Sequence, residues 1–270
     1  MQRDEDLSTI LSNVAADARP TTRTKIANSP ETRAFLEIGL HLLRDDLLDH
    51  RGPDMLDEHD AGTRLFAGLS QARLIERADQ IAAGEDRPTM LTVGMFRDRW
   101  RYKSRYTEDL IAYLMRPSLT ERTMNELREA ALNLPAGLPF PQLARYLADA
   151  VMSATMRDPL WSLQTIVWVA LPNHPRVQRY LKARYEQWIA AWASTYEQLA
   201  ARYDLRLRPG VTWLDVAEMF NAVADGARVR GMAMGAVASL SSGDSVVVGA
   251  VRAMMPTLFL NAENLAEPGS

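Results

Sequence analysis

The stretch Thr92–Leu114, TVGMFRDRWRYKSRYTEDLIAYL, decides how the chain reads. Thr92 is a capping residue set before an apolar-periodic run, so the sequence predicts a short helix beginning just after it. Phe96 and Trp100 are four residues apart and share one face of that helix, which sends them into a small core. Arg97 and Arg99 then belong on the other side. A further helix over about 103–115 carries Tyr106, Leu110, Ile111 and Leu114 on one side. Arg101, Tyr102, Lys103 and Arg105 join the two, giving a basic patch interleaved with aromatic residues.

Upstream, Ser29-Pro30 is a helix start, a capping side chain followed by proline at the first helical position. Phe35, Ile38, Leu42 and Leu43 recur at helical spacing behind it, and the helix is expected to end before Gly52-Pro53. Residues 51–62, RGPDMLDEHDAG, form an acidic, turn-rich loop. His50 and His59 stand close to its carboxylates, so the choices are a solvated acidic loop or a metal site, and the absence of compact ligand spacing favours the loop. A second helix covers about 63–83, with Leu65, Leu69, Leu74, Ile75 and Ala78 inward and Gly84 as its stop. Residues 1–28 read as a flexible arm: Asp6–Ala16 could make a short helix, but Pro20 and the polar run after it argue for a flexible connector. Its basic end (Arg19, Arg23, Lys25) suits a solvated tail or an arm that tracks a DNA backbone or minor groove.

Pro117 marks the expected boundary, giving an N-terminal unit over 29–116 and a second domain over 117–270. Beyond it the pattern predicts helices at about 119–133, 139–157, 159–171, 174–204, 212–235 and 245–260, separated by Pro- and Gly-containing breaks. No alternating strand pattern of useful length occurs. The fold class is all-α.

The 31 basic and 34 acidic residues leave a net charge of -3, so a nucleic-acid partner has to be argued from the local patch and not from the whole chain. There is no cysteine, which excludes disulfides, cysteine nucleophiles and thiolate metal sites together. No segment has the composition of a signal peptide or the run of apolar residues that a membrane span needs. The expectation is a cytoplasmic protein with no membrane partner. No nucleophile elbow, phosphate loop or paired-histidine motif appears, and the four histidines (His41, His50, His59, His174) are scattered, so no enzymatic activity and no cofactor are expected.

The order of two helices, a short aromatic helix and a helix opening with lysine resembles the tetracycline-repressor (TetR) family of bacterial regulators. The short recognition helix of that family reads small polar, basic, glycine, threonine, leucine, tyrosine, any residue, histidine, phenylalanine. Thr92 to Trp100 fits that frame without gaps, with Gly94 at the glycine, Phe96 at the core leucine and Trp100 at the core phenylalanine. Lys103 matches the lysine that opens the next helix. Tyr106, Asp109 and Leu110 resemble positions of actinobacterial-type members, and Leu69–Ala78 resembles the family's second helix. Val93, Arg97 and Arg99 stand where a basic residue, tyrosine and histidine are usual. Asp79 replaces a glycine, and Gln80–Met90 is extra chain in place of a tight turn. The resemblance implies an N-terminal helix-turn-helix, a helical effector-binding body and a homodimer acting on a near-palindromic DNA operator.

The chemistry of the patch fits that implication. A guanidinium can bond guanine bidentately, so Arg97 and Arg99 are assigned to base edges. Arg101, Tyr102, Lys103 and Arg105 suit phosphate, which positions a protein without specifying sequence, and Thr92 completes the expected DNA-contacting set. In the second domain, Met152, Met156, Trp161, Trp168, Trp188 and Trp192 suit an adaptable apolar pocket for an unknown small-molecule effector, or equally an ordinary core. The helix with Asn221-Ala222, Asp225-Gly226-Ala227 and Arg228 resembles the penultimate helix of TetR bodies. Its small residues let helices at 212–235 and 245–260 approach a second copy, or each other. The competing function is a helical ligand-binding or protein-interaction module that has lost DNA binding, favoured by the insertion and the acidic loop.

Overall fold

Capping chemistry and apolar spacing set where the helices begin, and a computed structural model describes residues 5–49, 65–84 and 91–262. All regular structure there is helical apart from two isolated bridges, Leu207 with Phe259 and Ser239 with Ser245. The all-α expectation therefore holds among the described residues. The acidic loop with His50 and His59 lies outside them, as do residues 85–90.

The chain divides into two units, one of residues 1–116 with 163–180 and one of 117–162 with 181–270. The first holds α1 (Pro20–Ala27), α2 (Pro30–Leu47), α3 (Gln71–Gly84), α4 (Val93–Trp100) and α5 (Lys103–Leu114). Later helices are α6 (Ser118–Leu132), α7 (Phe140–Arg157), α8 (Pro159–Ala170), α9 (Pro175–Ala201), α10 (Trp213–Met234) and α11 (Val246–Leu258). Each starts or stops within a few residues of its predicted bounds. The sequence did not reveal that the segment 163–180 belongs with the first unit. There Gln164 donates to the Leu114 carbonyl at 2.7 Å, satisfying a carbonyl at the C-terminal end of α5.

The N-termini follow the expected chemistry. Ser29 Oγ accepts from Thr32 N, with Pro30 at the first helical position of α2. Thr92 Oγ1 accepts from Met95 N at 3.2 Å to start α4. Thr212 and Asp215 cap α10 reciprocally, with Thr212 N to Asp215 Oδ2 at 2.8 Å and Asp215 N to Thr212 Oγ1 at 3.2 Å. Gly235 ends α10 with φ of 76°, a left-handed stop.

Two expectations need correction. The arm is packed, not loose, over its described part: Leu7, Leu11 and Val14 are fully buried, and α1 forms where a connector was expected. Helix α1 escaped notice because it buries only Ala27 and has no apolar stripe. It is fixed by polar bonds instead, Arg23 Nη2 to Leu11 O at 2.8 Å and Leu7 N to Asn28 Oδ1 at 2.8 Å. The second concerns α3, which ends at Gly84 as predicted but differs at its other end. That helix starts later than predicted, at Gln71, because residues 65–68 form a turn. Gly68 lets Arg73 fork onto Asp46 at 2.7 and 2.6 Å, since a Cβ at position 68 would lie 2.0 Å from Asp46 Oδ2.

Among the described residues no helix is long and apolar enough to cross a membrane.

Candidate functional site

Helices α4 and α5 are held by an aromatic cluster. Phe96 lies 5.6 Å from Phe35 and 5.2 Å from Tyr106, and Trp100 lies 5.0 Å from Tyr106, in edge or tilted arrangements. All four rings are buried, as the spacing predicted for Phe96, Trp100 and Tyr106. The Tyr106 hydroxyl donates to the Phe35 carbonyl at 2.7 Å. It reaches that carbonyl only because residue 39 is glycine: a Cβ there would lie 2.0 Å from the hydroxyl. Burial pushes the phenol well up, so it stays a neutral donor.

Asp109 is the polar centre of this unit. It is fully buried on α5 and accepts from Trp100 Nε1 at 3.0 Å, from Ser12 N at 3.0 Å and from Asn13 N and Nδ2 at 3.0 Å. One carboxylate thus joins the arm, α4 and α5. Burial pushes its carboxyl up, while the donors from Asn13, Trp100 and Ser12 pull the other way. The arm also caps α4, with Ala15 N donating to the Arg99 carbonyl at 2.7 Å.

The predicted DNA-contacting residues separate into two groups. Thr92, Arg97, Arg101 and Tyr102 are exposed, and Arg97 has no hydrogen-bond or ion-pair partner among the described residues. Arg101 sits at a tight turn with φ of 52°, in which Tyr102 N bonds the Trp100 carbonyl. That conformation is strained for a residue with a side chain, and it puts Arg101 outside the helix. The guanidinium groups of Arg101 and Arg105 stand 5.4 and 5.8 Å from the centre of the Tyr102 ring. Arg105 also meets the exposed Asp17 at 3.4 Å.

Arg99 and Lys103 differ from expectation. Arg99 turns inward, bonding Thr32 Oγ1 at 2.9 Å, Ser29 Oγ at 3.1 Å, Glu31 Oε2 at 3.1 Å and the Met95 carbonyl at 3.0 Å. The assignment to base edges is corrected: its donors are used to tie α4 to the N-terminus of α2. Helical spacing missed this because Arg99 lies at the margin of the buried face, where a long side chain can fold back. Lys103 Nζ donates to the Ala67 carbonyl at 2.9 Å, and burial lowers its ammonium below the ordinary value. It too is engaged internally and is not presented to phosphate.

The second unit contains a cavity of about 100 Å³ walled by α7, α9, α10 and α11. Of the six residues proposed for a pocket, Met152 and Trp192 line it. Trp161 and Trp188 stack on each other at 5.0 Å and face a smaller neighbouring recess of about 50 Å³, so they are displaced from the main chamber. Met156 packs on Gly231, whose missing Cβ would be 3.1 Å from Met156 Cε. Trp168 falls in the first unit. Nothing in the residue spacing singled out Tyr196, which lines both spaces. In the recess, Arg228 pairs with Asp225 at 3.0 Å, and Tyr185 donates its hydroxyl to the same carboxylate.

Among the described residues no cluster of three or more His, Asp or Glu side chains is arranged to hold a metal ion. Comparison with protein-family models, with curated proteins and with solved structures finds nothing that matches this chain.

Proposed function

We propose that this chain is a DNA-binding transcription regulator of TetR type, acting in the cytoplasm as a ligand-responsive homodimer and not as an enzyme. The observation that carries the reading is the outer side of α4. Thr92, Val93, Gly94 and Arg97 are all exposed there, over a base fixed by Phe96 and Trp100. Nothing internal requires glycine at position 94: a Cβ there would meet only Thr92 Oγ1, at 3.7 Å. A low-profile helix face beside an uncommitted arginine suits close approach to a groove wall, with Arg97 on base edges. Arg101, Arg105 and Tyr102 would hold phosphate at the adjoining turn.

Dimerisation is supported by α10. Met219, Ala222, Gly226, Val229 and Ala233 recur at three- and four-residue steps along one exposed face. A second copy could pair there at close range, giving two reading edges and a near-palindromic operator. Sedimentation should then give a dimer at micromolar concentration, and a monomer would count against this part.

The test of DNA binding is selection of bound fragments from a genomic pool, followed by gel-shift titration. Arg97→Ala should weaken the selected site by about 1–3 kcal/mol and relax base preference at one position. Gly94→Ala should raise thermal stability, since alanine favours a helix by up to about 1 kcal/mol, yet weaken binding. If both variants bind the selected DNA like the parent, the reading edge is misassigned. A second reading, a helical ligand-binding module without DNA binding, is favoured by the inward commitment of Arg99 and Lys103. Failure to enrich any fragment would support it.

A further inference from the structure

We propose that the chamber in the second unit binds a small, neutral, lipophilic molecule carrying one hydroxyl or carbonyl group, which the Tyr196 hydroxyl holds. This stands apart from DNA binding, since every wall residue belongs to the second unit.

The wall is built from Phe, Leu, Ala, Val and Met side chains with Trp192, Trp213 and Tyr196, and no charged side chain lines it. At roughly 30 Å³ per water, the share each takes in the liquid, its 100 Å³ corresponds to about three water positions. An ordered interior water needs two to four polar partners, and the polar side-chain groups carried by the lining residues are limited to the Tyr196 hydroxyl and the Trp192 and Trp213 indole N–H groups. Waters with so few polar partners are poorly satisfied there. An apolar occupant recovers the dispersion contacts that an empty space forfeits.

Tyr196 supplies the polar specificity. Its ring is fixed on both sides, stacked on Trp192 at 5.4 Å and edge-on to Phe220 at 5.3 Å. Its hydroxyl has no hydrogen-bond partner among the described residues. Burial pushes the phenol up, with no neighbouring charge to oppose it, so the group is a neutral O–H at any physiological pH. A neutral donor in an apolar wall stabilises a ligand oxygen without demanding charge. An ionised ligand would be desolvated with no countercharge in the chamber. The charges of the adjoining recess, Asp225 and Arg228, are paired with each other at 3.0 Å. The aromatic walls from Phe140, Trp213 and Phe259 favour a ring over a saturated chain.

Three probes matched in size separate the possibilities: 4-butylphenol, butylbenzene and 4-butylbenzoate. Each is titrated against the full chain, read by the fluorescence of the wall tryptophans and by the shift in melting temperature. The phenol should saturate and bind about fivefold more tightly than butylbenzene, as one net hydrogen bond provides. The benzoate should bind weakest at pH 8. Tyr196→Phe, which keeps the ring and its stacking, should bring the phenol down to the affinity of butylbenzene and leave butylbenzene unchanged. Absence of saturable binding to the folded parent would overturn the proposal. So would an unchanged phenol affinity in Tyr196→Phe, or tightest binding by the benzoate, which would assign recognition to the Arg228 recess. None of these readouts involves DNA, so failure here leaves the reading-edge proposal intact, and the reverse holds.

Discussion

Two tyrosines, the buried Tyr106 in the first unit and the half-buried Tyr196 in the second, solve the same problem in opposite ways. Both phenols are pushed up by burial. Tyr106 reaches the Phe35 carbonyl at 2.7 Å through a gap left by a glycine, and its ring closes an aromatic cluster. Tyr196 lines a cavity, and its hydroxyl has no hydrogen-bond partner among the described residues. The first unit uses its polar atoms to fix two short helices at one position. The second leaves a polar atom unused beside empty space, the arrangement expected of a surface kept for something else. Fit supports stability in one unit, and in the other the incomplete fit is what the proposed ligand would complete.

The sharpest way to break this contrast is at Gly39. Gly39→Ala should destabilise the chain by about 3 kcal/mol in denaturant unfolding, because the added Cβ collides with a bonded hydroxyl. Combining it with Tyr106→Phe should recover part of the loss, since removing the hydroxyl makes room. A double variant as unstable as the summed singles would mean the two positions are not coupled.

Asp109→Asn comes next. Either amide orientation turns two hydrogens toward donors from the arm or Trp100, at a cost of about 2 kcal/mol. Faster amide exchange at Ser12 and Asn13 should accompany it, and unchanged protection there would show that the arm is held by its apolar contacts alone.

Removing each tyrosine hydroxyl compares the units directly. Tyr106→Phe should cost about 1 kcal/mol. Tyr196→Phe should stay within about 0.5 kcal/mol of the parent without ligand, because no bond is lost. Equal losses would erase the distinction between a used hydroxyl and a spare one.

The smallest expected effect is on pH dependence. Asp244 lies between Arg145 at 2.5 Å and Arg252 at 3.1 Å, and the Arg145 guanidinium holds its carboxyl below the ordinary 3.8. A carboxyl lowered in the folded state contributes stability that is complete above 3.8 and lost as pH falls through the folded value. Asp109 is shifted the other way, so its contribution is greatest below 3.8 and declines as pH rises through its folded value. Asp244→Asn should therefore flatten the acid limb of a melting-temperature profile, and Asp109→Asn should not.

The sequence made much of the first unit legible. Thr92, Phe96, Trp100, Tyr106 and Leu110 lie where capping and helical spacing put them, because those rules act over one or two turns. The candidate site was less legible. Arg97 is exposed as expected, but Arg99 and Lys103 bond Glu31 and the Ala67 carbonyl, partners distant in the chain. The pocket followed the same division. Met152 and Trp192 line the chamber, while Trp161, Trp168, Trp188 and Met156, similar in composition, do not line it.

What this sequence determined by itself is the helices, their caps and their apolar faces, since each follows from residues within a few positions of one another. What only the tertiary structure decided is which polar groups are used up. Arg99, Asp109 and Tyr106 find partners from remote segments, whereas Arg97 and Tyr196 find none among the described residues. A hydrogen bond reaches only about 3 Å, so whether a side chain is committed or spare depends on distances that spacing along the chain does not encode.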